Sequence, residues 1–470
     1  MSTRPIIQGK YPAKRHVQRV VSFLAEKSPP ANGFIFLSGC PDRFYQDCDL
    51  EIPFRQHRAF MYLSGVNIPN SHLLYDIDNS RLTLFVPPVD PEKIVWSGMP
   101  LLPEEAIATY DVDVVLPTTA LGATLETMRS RRSVSKPSVF TIPGHVGEGI
   151  VFPKDTHVDA IALKEAVDEC RVVKDEYEIG LLKKAIDISC TAHRAVMKAV
   201  RTAASEAEIH GIFLGECTKQ GAKIQAYPSI VASGRAAATM HPEGNNQSLY
   251  TAGERKQLLL IDAGAEVDCY GADVTRTLPL SGKFTPEARA IYDIVLEMQK
   301  ECIASLEAGV VWDDLHLLAH KVAIRGLLRL DILKGDPDEI LAARTSAAFM
   351  PHGLGHFLGM DTHDAGGRPK EADPDPLYKN LRVRRELPAG CVVTVEPGIH
   401  FDEHTICEYL RAPQHAQYIN EAVLNQFWDV GGVCIEDDLL VTETGCINLT
   451  GLPKDPELVE QIVTRGSDHE

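Results

Sequence analysis

The chain has 470 residues, with 65 acidic and 47 basic side chains and a formal charge of −18. Hydrophobic residues make up 44% and charged residues 24%, a globular rather than disordered balance, and the length suits two or three domains with sizeable cores. The acidic excess, with a pI near 5.4, argues against duplex DNA, RNA or an anionic membrane as a partner, because each of these needs clustered cations.

The residues from Met1 to Lys10 lack the apolar stretch of a signal peptide, and no run of about 18 apolar residues occurs that would span a bilayer. Eleven cysteines are scattered singly from Cys40 to Cys446 without a C-x-x-C pair. Such a set reads as reduced thiols, and the expected compartment is the cytoplasm. In chain order, Lys14–Lys27 reads as a helix, and Gly33–Gly39, Arg81–Pro87 and Val112–Leu116 read as strands, so residues 1–165 are expected to form a mixed α/β domain. The texture changes between 160 and 175. From Asp175 a helix runs with Ile179, Leu182, Ile186 and Val196 or Met197 on one stripe. Ser205 and Glu208 have the spacing of a capping box, with Gly221 as the stop, and Thr285-Pro286-Glu287 opens a further helix. Strand-like stretches follow at Gln257–Ala265, Tyr270–Leu280, Cys391–Glu396 and Gly432–Val441. Helices grouped beside hairpins predict an α+β domain over 175–470.

Four acidic residues lie in or beside these apolar strands. Leu258–Ile261 runs into Asp262, and Asp273 follows eleven positions later on the expected return strand. Val392–Val395 runs into Glu396, and Gly431–Ile435 into Glu436. Each alone can be a strand-end carboxylate bonded to backbone amides. Four repeating one pattern are costly to bury unless they are paired or bind metal. Pro351-His352-Gly-Leu-Gly-His356 and His363 then place three imidazoles within twelve residues, where glycines allow a loop to bring them to a cleft. No cysteine has structural-zinc spacing and H-E-x-x-H is absent. Four carboxylates with an imidazole form an oxygen-rich set suited to Mn²⁺, with Co²⁺, Zn²⁺ or Fe²⁺ as substitutes. Four acids exceed what one ion needs, whereas two ions with bridging carboxylates would use them, a hydrolase arrangement.

At these residues the sequence resembles the pita-bread metallopeptidases, in the Xaa-Pro branch of aminopeptidase P and prolidase. The ordered motifs D-x-G, A-D-x-T-R, H-G-x-G-H, V-E-P-G and I-E-D run from Asp262 to Asp438, and Pro53–Gly65 resembles the creatinase-like N-terminal domain of that family. The resemblance implies a creatinase-like α/β domain followed by a pita-bread catalytic domain, and hydrolysis of the bond between an N-terminal residue and a following proline. It implies two Mn²⁺ per chain held by Asp262, Asp273, His356, Glu396 and Glu436, with Asp273 and Glu436 bridging. It makes Glu396 the proton shuttle and His363 the group that stabilises the oxyanion, and places His241 and His352 along the substrate site. Homodimers are usual among such relatives. Proline has no N–H and a fixed φ, which defeats a peptidase that grips an extended backbone through that N–H.

Two positions separate subclasses. Arg382, fourteen residues before Glu396, matches the prolidase Arg that binds a dipeptide carboxylate, although it also lies in a short basic cluster that reads equally as a solvated loop. Cys434, two residues before Glu436, stands where this branch generally carries Arg. The alternative from another class is a non-enzymatic pita-bread module that binds peptides or proteins.

Overall fold

The computed structural model describes residues 9–27, 33–130, 138–154, 156–240, 244–370 and 372–465, together with residues 7 and 242. The chain divides into two compact units, one ending at Arg171 and the other beginning at Val172. In the N-terminal unit a six-stranded sheet has the order Val114–Pro117, Arg81–Val86, His72–Asp76, Phe34–Ser38, Ser138–Phe140, His157–Asp159. Its three central strands pair antiparallel and the outer ones join in parallel. The helix Ala13–Lys27 buries His16, Val17, Val20 and Leu24, a 3.6-residue stripe that leaves its charged face to water. The strand expected from Val112 begins two residues later. Asp113 spends its carboxylate on the N–H of Leu82 (2.8 Å) and on Lys14 (2.6 Å), so side-chain bonds anchor the chain there before the ladder starts.

The second unit opens with the helix Glu176–Ala199. Asp175 accepts the N–H groups of Tyr177 and Glu178, and the Glu178 carboxylate accepts the N–H of Asp175 at 2.9 Å, a reciprocal cap that satisfies orphan donors. Leu182, Ile186, Val196 and Met197 are buried on its inner face, while Ile179 is half-buried. The next helix, Glu206–Lys219, starts at Ser205 as expected, but its capping box is incomplete. Ser205 accepts the Glu208 N–H at 3.3 Å, whereas the Glu208 carboxylate takes the N–H of Ala204 at 2.8 Å. A third helix, Pro286–Ala304, is capped by the Thr285 hydroxyl and packs beside Trp312–Arg329 over the main core, which includes Ile291, Val295, Trp312, Val393 and Leu439.

The strands behind the acids are shorter than their apolar runs. Residues 257–265 form the strand Leu258–Asp262, a break, and Ala265–Val267; residues 270–280 form Tyr270–Gly271, a break, and Thr275–Pro279; and 432–441 break between Cys434 and Asp437. The sheets therefore come as small two- and three-stranded pieces in which Leu258–Asp262 pairs with Thr275–Pro279, and Val392–Val395 with Asp437–Thr442. Both antiparallel pairs carry one acid just at or after the first strand and one just before the second. Among the described residues no helix is long and apolar enough to cross a membrane.

Candidate metal centre

The break after Asp262 is held open from behind by polar groups on the buried face of the helix Glu176–Ala199. His193 Nε2 donates to Ala263 O (3.0 Å), and Ser189 Oγ accepts the Ala265 N–H (2.9 Å). Gly264 is required at this bend, since a Cβ there would stand 1.7 Å from Ala272 O. The backbone after Asp262 turns out of the ladder, leaving the carboxylate half-buried at the strand end with its Oδ1 accepting the Tyr227 hydroxyl.

His356 reaches the same place along a separate path. The segment around it lies antiparallel to Val392–Val395, with Thr394 N donating to His356 O (2.9 Å), Glu396 N to Leu354 O (2.8 Å) and Leu358 N to Val392 O (2.9 Å). Thr394 Oγ1 accepts the His356 N–H (3.1 Å) and faces Glu396 Oε1 at 3.4 Å. His356 Nδ1 lies 3.0 Å from Phe357 O; a carbonyl only accepts, so Nδ1 carries a proton and Nε2, turned toward the acids, is the atom that would bind a cation. The loop that follows is pinned by a buried ion pair, Lys174 Nζ to Asp364 Oδ2 at 2.9 Å. His363 stands exposed at its end, its ring edge-on to His356 with centroids 4.5 Å apart.

The structure thus gathers Asp273, His356 and Glu436, all buried, with donor atoms within 4.8 Å of one another. His356 Nε2 is 3.3 Å from Asp273 Oδ2 and 3.4 Å from Glu396 Oε1. Glu396 and Asp262 are the half-buried members. Glu436 is oriented by the Thr275 hydroxyl at 2.7 Å, and Asp273 N–H donates to Asp438 Oδ2 at 3.2 Å.

Crowding of like charge dominates the electrostatics. Loss of water and the Asp273 carboxylate hold Asp262 well above the ordinary range, and the same two causes act on Glu436. Desolvation and Asp273 push Glu396 up to about 7 against the pull of His356 and Arg382. Desolvation also opposes charge on Asp273, but its hydrogen bond and attraction to His356 keep it low. A site of four carboxylates with one imidazole and so little compensating charge fits divalent cations. Cation binding must then displace the protons these acids retain. At pH 6.5 metal uptake is expected to release at least one proton per chain, and apparent affinity to weaken as pH falls through 7. Calorimetric titration in buffers of different ionisation enthalpy checks this; uptake without proton release contradicts it.

The remaining predicted residues fall in different places. His241 lies outside the described residues. Arg382 is exposed, yet its guanidinium acts on Glu396, unlike Arg384 of the same cluster, which pairs with Asp313 and Asp373. His352 is half-buried, with Nε2 3.2 Å from His400 Nε2. Cys434 packs against Ala232, Ala237 and Leu260 with its sulfur 3.5 Å from Glu396 O. Burial and the neighbouring acids push its thiol well above the usual range, so a neutral small group fills that position.

Several contributors escape a reading of sequence. Tyr227, Thr275 and Thr394 orient ligand-type groups, and Arg276 ties the centre together. Its guanidinium donates to the carbonyls of Thr275, Glu436, Leu452 and Pro453 and to Asp437 Oδ1 (2.7 Å). Arg276 ends the A-D-x-T-R motif, and a cation inside an apolar strand was the available signal.

Residues 180–443 match metallopeptidase family M24, and residues 14–136 match the aminopeptidase P N-terminal domain. A probable Xaa-Pro aminopeptidase of Sordaria macrospora is 52% identical over 463 residues, covering 98% of both chains. One of Verticillium alfalfae is 52% identical over 458 residues, covering 97% of this chain and 98% of its own. Among solved structures, Pseudomonas aeruginosa aminopeptidase PepP has a TM-score of 0.79 at 29% identity, covering 98% of this chain and all of its own. Aminopeptidase P from E. coli with the inhibitor Pro-Leu has a TM-score of 0.79 at 28% identity, with the same coverage.

Proposed function

Because the chain belongs to metallopeptidase family M24, with an aminopeptidase P N-terminal domain ahead of a pita-bread unit, we propose that it is an Xaa-Pro aminopeptidase that removes the N-terminal residue from peptides with proline second. The observation that carries this reading is the convergence of Asp262, Asp273, His356, Glu396 and Glu436 from two antiparallel strand pairs and a loop, with donor atoms of the central three within 4.8 Å, in a chain similar over nearly its whole length to probable Xaa-Pro aminopeptidases. A non-enzymatic binding module would have no use for a complete and costly set of buried acids.

These five residues would hold two divalent ions, assigned as Mn²⁺ with Co²⁺, Zn²⁺ or Fe²⁺ as substitutes, and such a pair supplies Lewis acidity and a nucleophile at neutral pH. The chain's own residues do the rest. Glu396, half-buried, takes up a proton and delivers it to the proline nitrogen, which must be protonated as its bond breaks. His363, exposed beside His356, donates to the oxyanion that develops on the scissile carbonyl. His241 and His352 line the substrate, and Arg382 meets a carboxylate of short peptides. The eleven cysteines are free thiols, which supports a reducing cytoplasm, and a homodimer completes the proposal, to be read by light scattering.

A panel of Ala-Pro, Arg-Pro-Pro and Arg-Ala-Ala tests the reading. Cleavage of the proline-second peptides at least about 100-fold faster in kcat/KM than Arg-Ala-Ala is expected; equal rates would mark a general aminopeptidase. The ratio of Ala-Pro to Arg-Pro-Pro assigns the preferred length.

A further inference from the structure

Behind the half-buried His352 lies a buried imidazole, His400, that the proposed reaction does not use. His400 ends the strand Gly398–His400, which pairs with Gly432–Cys434 between the two glutamates of the centre. Its ring sits in a slot walled by glycine: a Cβ at Gly398 would stand 2.5 Å from His400 Nε2 and 3.0 Å from His352 Nε2, and one at Gly432 would stand 2.8 Å from His400 Nδ1. No larger residue at either place leaves room for the pair.

The two rings form a chain with a carbonyl at each end. Gly353 O is 2.9 Å from His352 Nδ1, the Nε2 atoms are 3.2 Å apart, and His400 Nδ1 is 3.4 Å from Ala237 O. Three contacts need three protons, and two neutral imidazoles bring two. A carbonyl cannot donate, so the contact without a proton is a repulsion between lone pairs and belongs at the longest distance. Leaving the longest contact without a proton puts Nδ1–H of His352 on Gly353, Nε2–H of His400 on His352, and a bare His400 Nδ1 toward Ala237. Burial lowers the basicity of both rings, that of His400 to about 3, which keeps the pair neutral near pH 7.

We propose that His400 is a positioning residue for the peptidase reaction: by donating Nε2–H it locks His352 as the neutral Nδ1–H tautomer with both nitrogens occupied. His352, half-buried, then meets the substrate with its ring face and carbon edge, an apolar wall suited to a proline ring rather than a hydrogen-bond donor or a cation. Selectivity for an apolar second residue is thereby built into His352 by a residue that does not touch substrate. The substrate part of this inference rests on the proposed Xaa-Pro activity; the tautomer part does not.

The test uses the full chain labelled with ¹⁵N-histidine, free of metal or loaded with diamagnetic Zn²⁺. His352 is identified by the signal lost in His352→Gln. The parent protein at pH 7.5 is expected to show His352 with a protonated Nδ1 and a bare, hydrogen-bonded Nε2. His400→Leu removes the donor and shifts that Nε2 signal, whereas His400→Gln, whose amide still donates, retains it. With Arg-Pro-Pro, His400→Leu is expected to raise KM about tenfold with kcat within about threefold of the parent, and His400→Gln to return KM to within about threefold. A parent His352 protonated on Nε2 or on both nitrogens overturns the proposal, as does equal KM for the Leu and Gln variants. If His400→Leu does not fold, the parent spectrum and the Gln variant still decide it. A parent with the expected tautomer and no Xaa-Pro hydrolysis would sink the activity and leave the lock standing.

Discussion

Asp273→Asn is expected to lower kcat/KM for Arg-Pro-Pro by about 10³-fold or more, with loss of bound metal, while the fold survives. The position explains the size. Asp273 is buried, 3.3 Å from His356 Nε2 and within 4.8 Å of Glu436 at its donor atoms, and its charge acts on Asp262, Glu396 and Glu436 alike. A carboxamide keeps the shape but offers one neutral oxygen where two anionic ones stood, which weakens any bridging of two cations. The same change relieves repulsion among the remaining acids, so the metal-free variant is expected to melt no lower than the metal-free parent. Steady-state kinetics, elemental analysis and thermal melts read the three effects. A loss of tenfold or less, or a variant that melts well below the parent without metal, would count against this role.

Arg276→Met is expected to destabilise the second unit by about 3–5 kcal/mol, because it breaks a buried ion pair and takes a donor from four buried carbonyls. Arg276 is 0% exposed, and its five hydrogen bonds join Thr275–Pro279 to the break at Glu436 and to the segment Leu452–Pro453. Asp437 keeps Lys454 and Asn448 as partners, which offsets part of the loss. The carbonyls of Thr275, Glu436, Leu452 and Pro453 each lose an Arg276 donor. Since one of those carbonyls belongs to Glu436, metal affinity should fall together with stability. Urea unfolding of metal-free protein gives the first quantity and metal titration the second. A change below about 1 kcal/mol would mean that the guanidinium is readily replaced by water.

The acids were legible because burial of charge is rare enough to stand out against apolar strands: Asp262, Asp273, Glu396 and Glu436 all announce themselves by the hydrophobic run beside them. Helix starts were legible where capping chemistry is local, as at Asp175, Ser205 and Thr285. What escaped was everything fixed by long-range geometry. The strands break at Ala263–Gly264 and Ile435–Glu436 because backbone groups there bond elsewhere, to His193 and Ser189 in one case and to Thr275 in the other, and apolar periodicity carries no trace of that. The capping box at Ser205 closed one residue early on Ala204, a choice made by the loop and not by the spacing. The acids repeat one pattern along the chain, but that they sit at matching ends of two antiparallel strand pairs emerges only in three dimensions. His400 was unreadable for the same reason, since its meaning depends on His352, forty-eight positions earlier.

The most direct test of the central claim is metal content measured together with Mn²⁺-dependent hydrolysis on one preparation of the full chain. The account predicts two ions per chain after Mn²⁺ loading and release of free arginine from Arg-Pro-Pro in proportion to metal bound. Two ions without release of arginine would contradict the assigned activity, and no bound metal would contradict the assembly of Asp262, Asp273, His356, Glu396 and Glu436 as a metal centre.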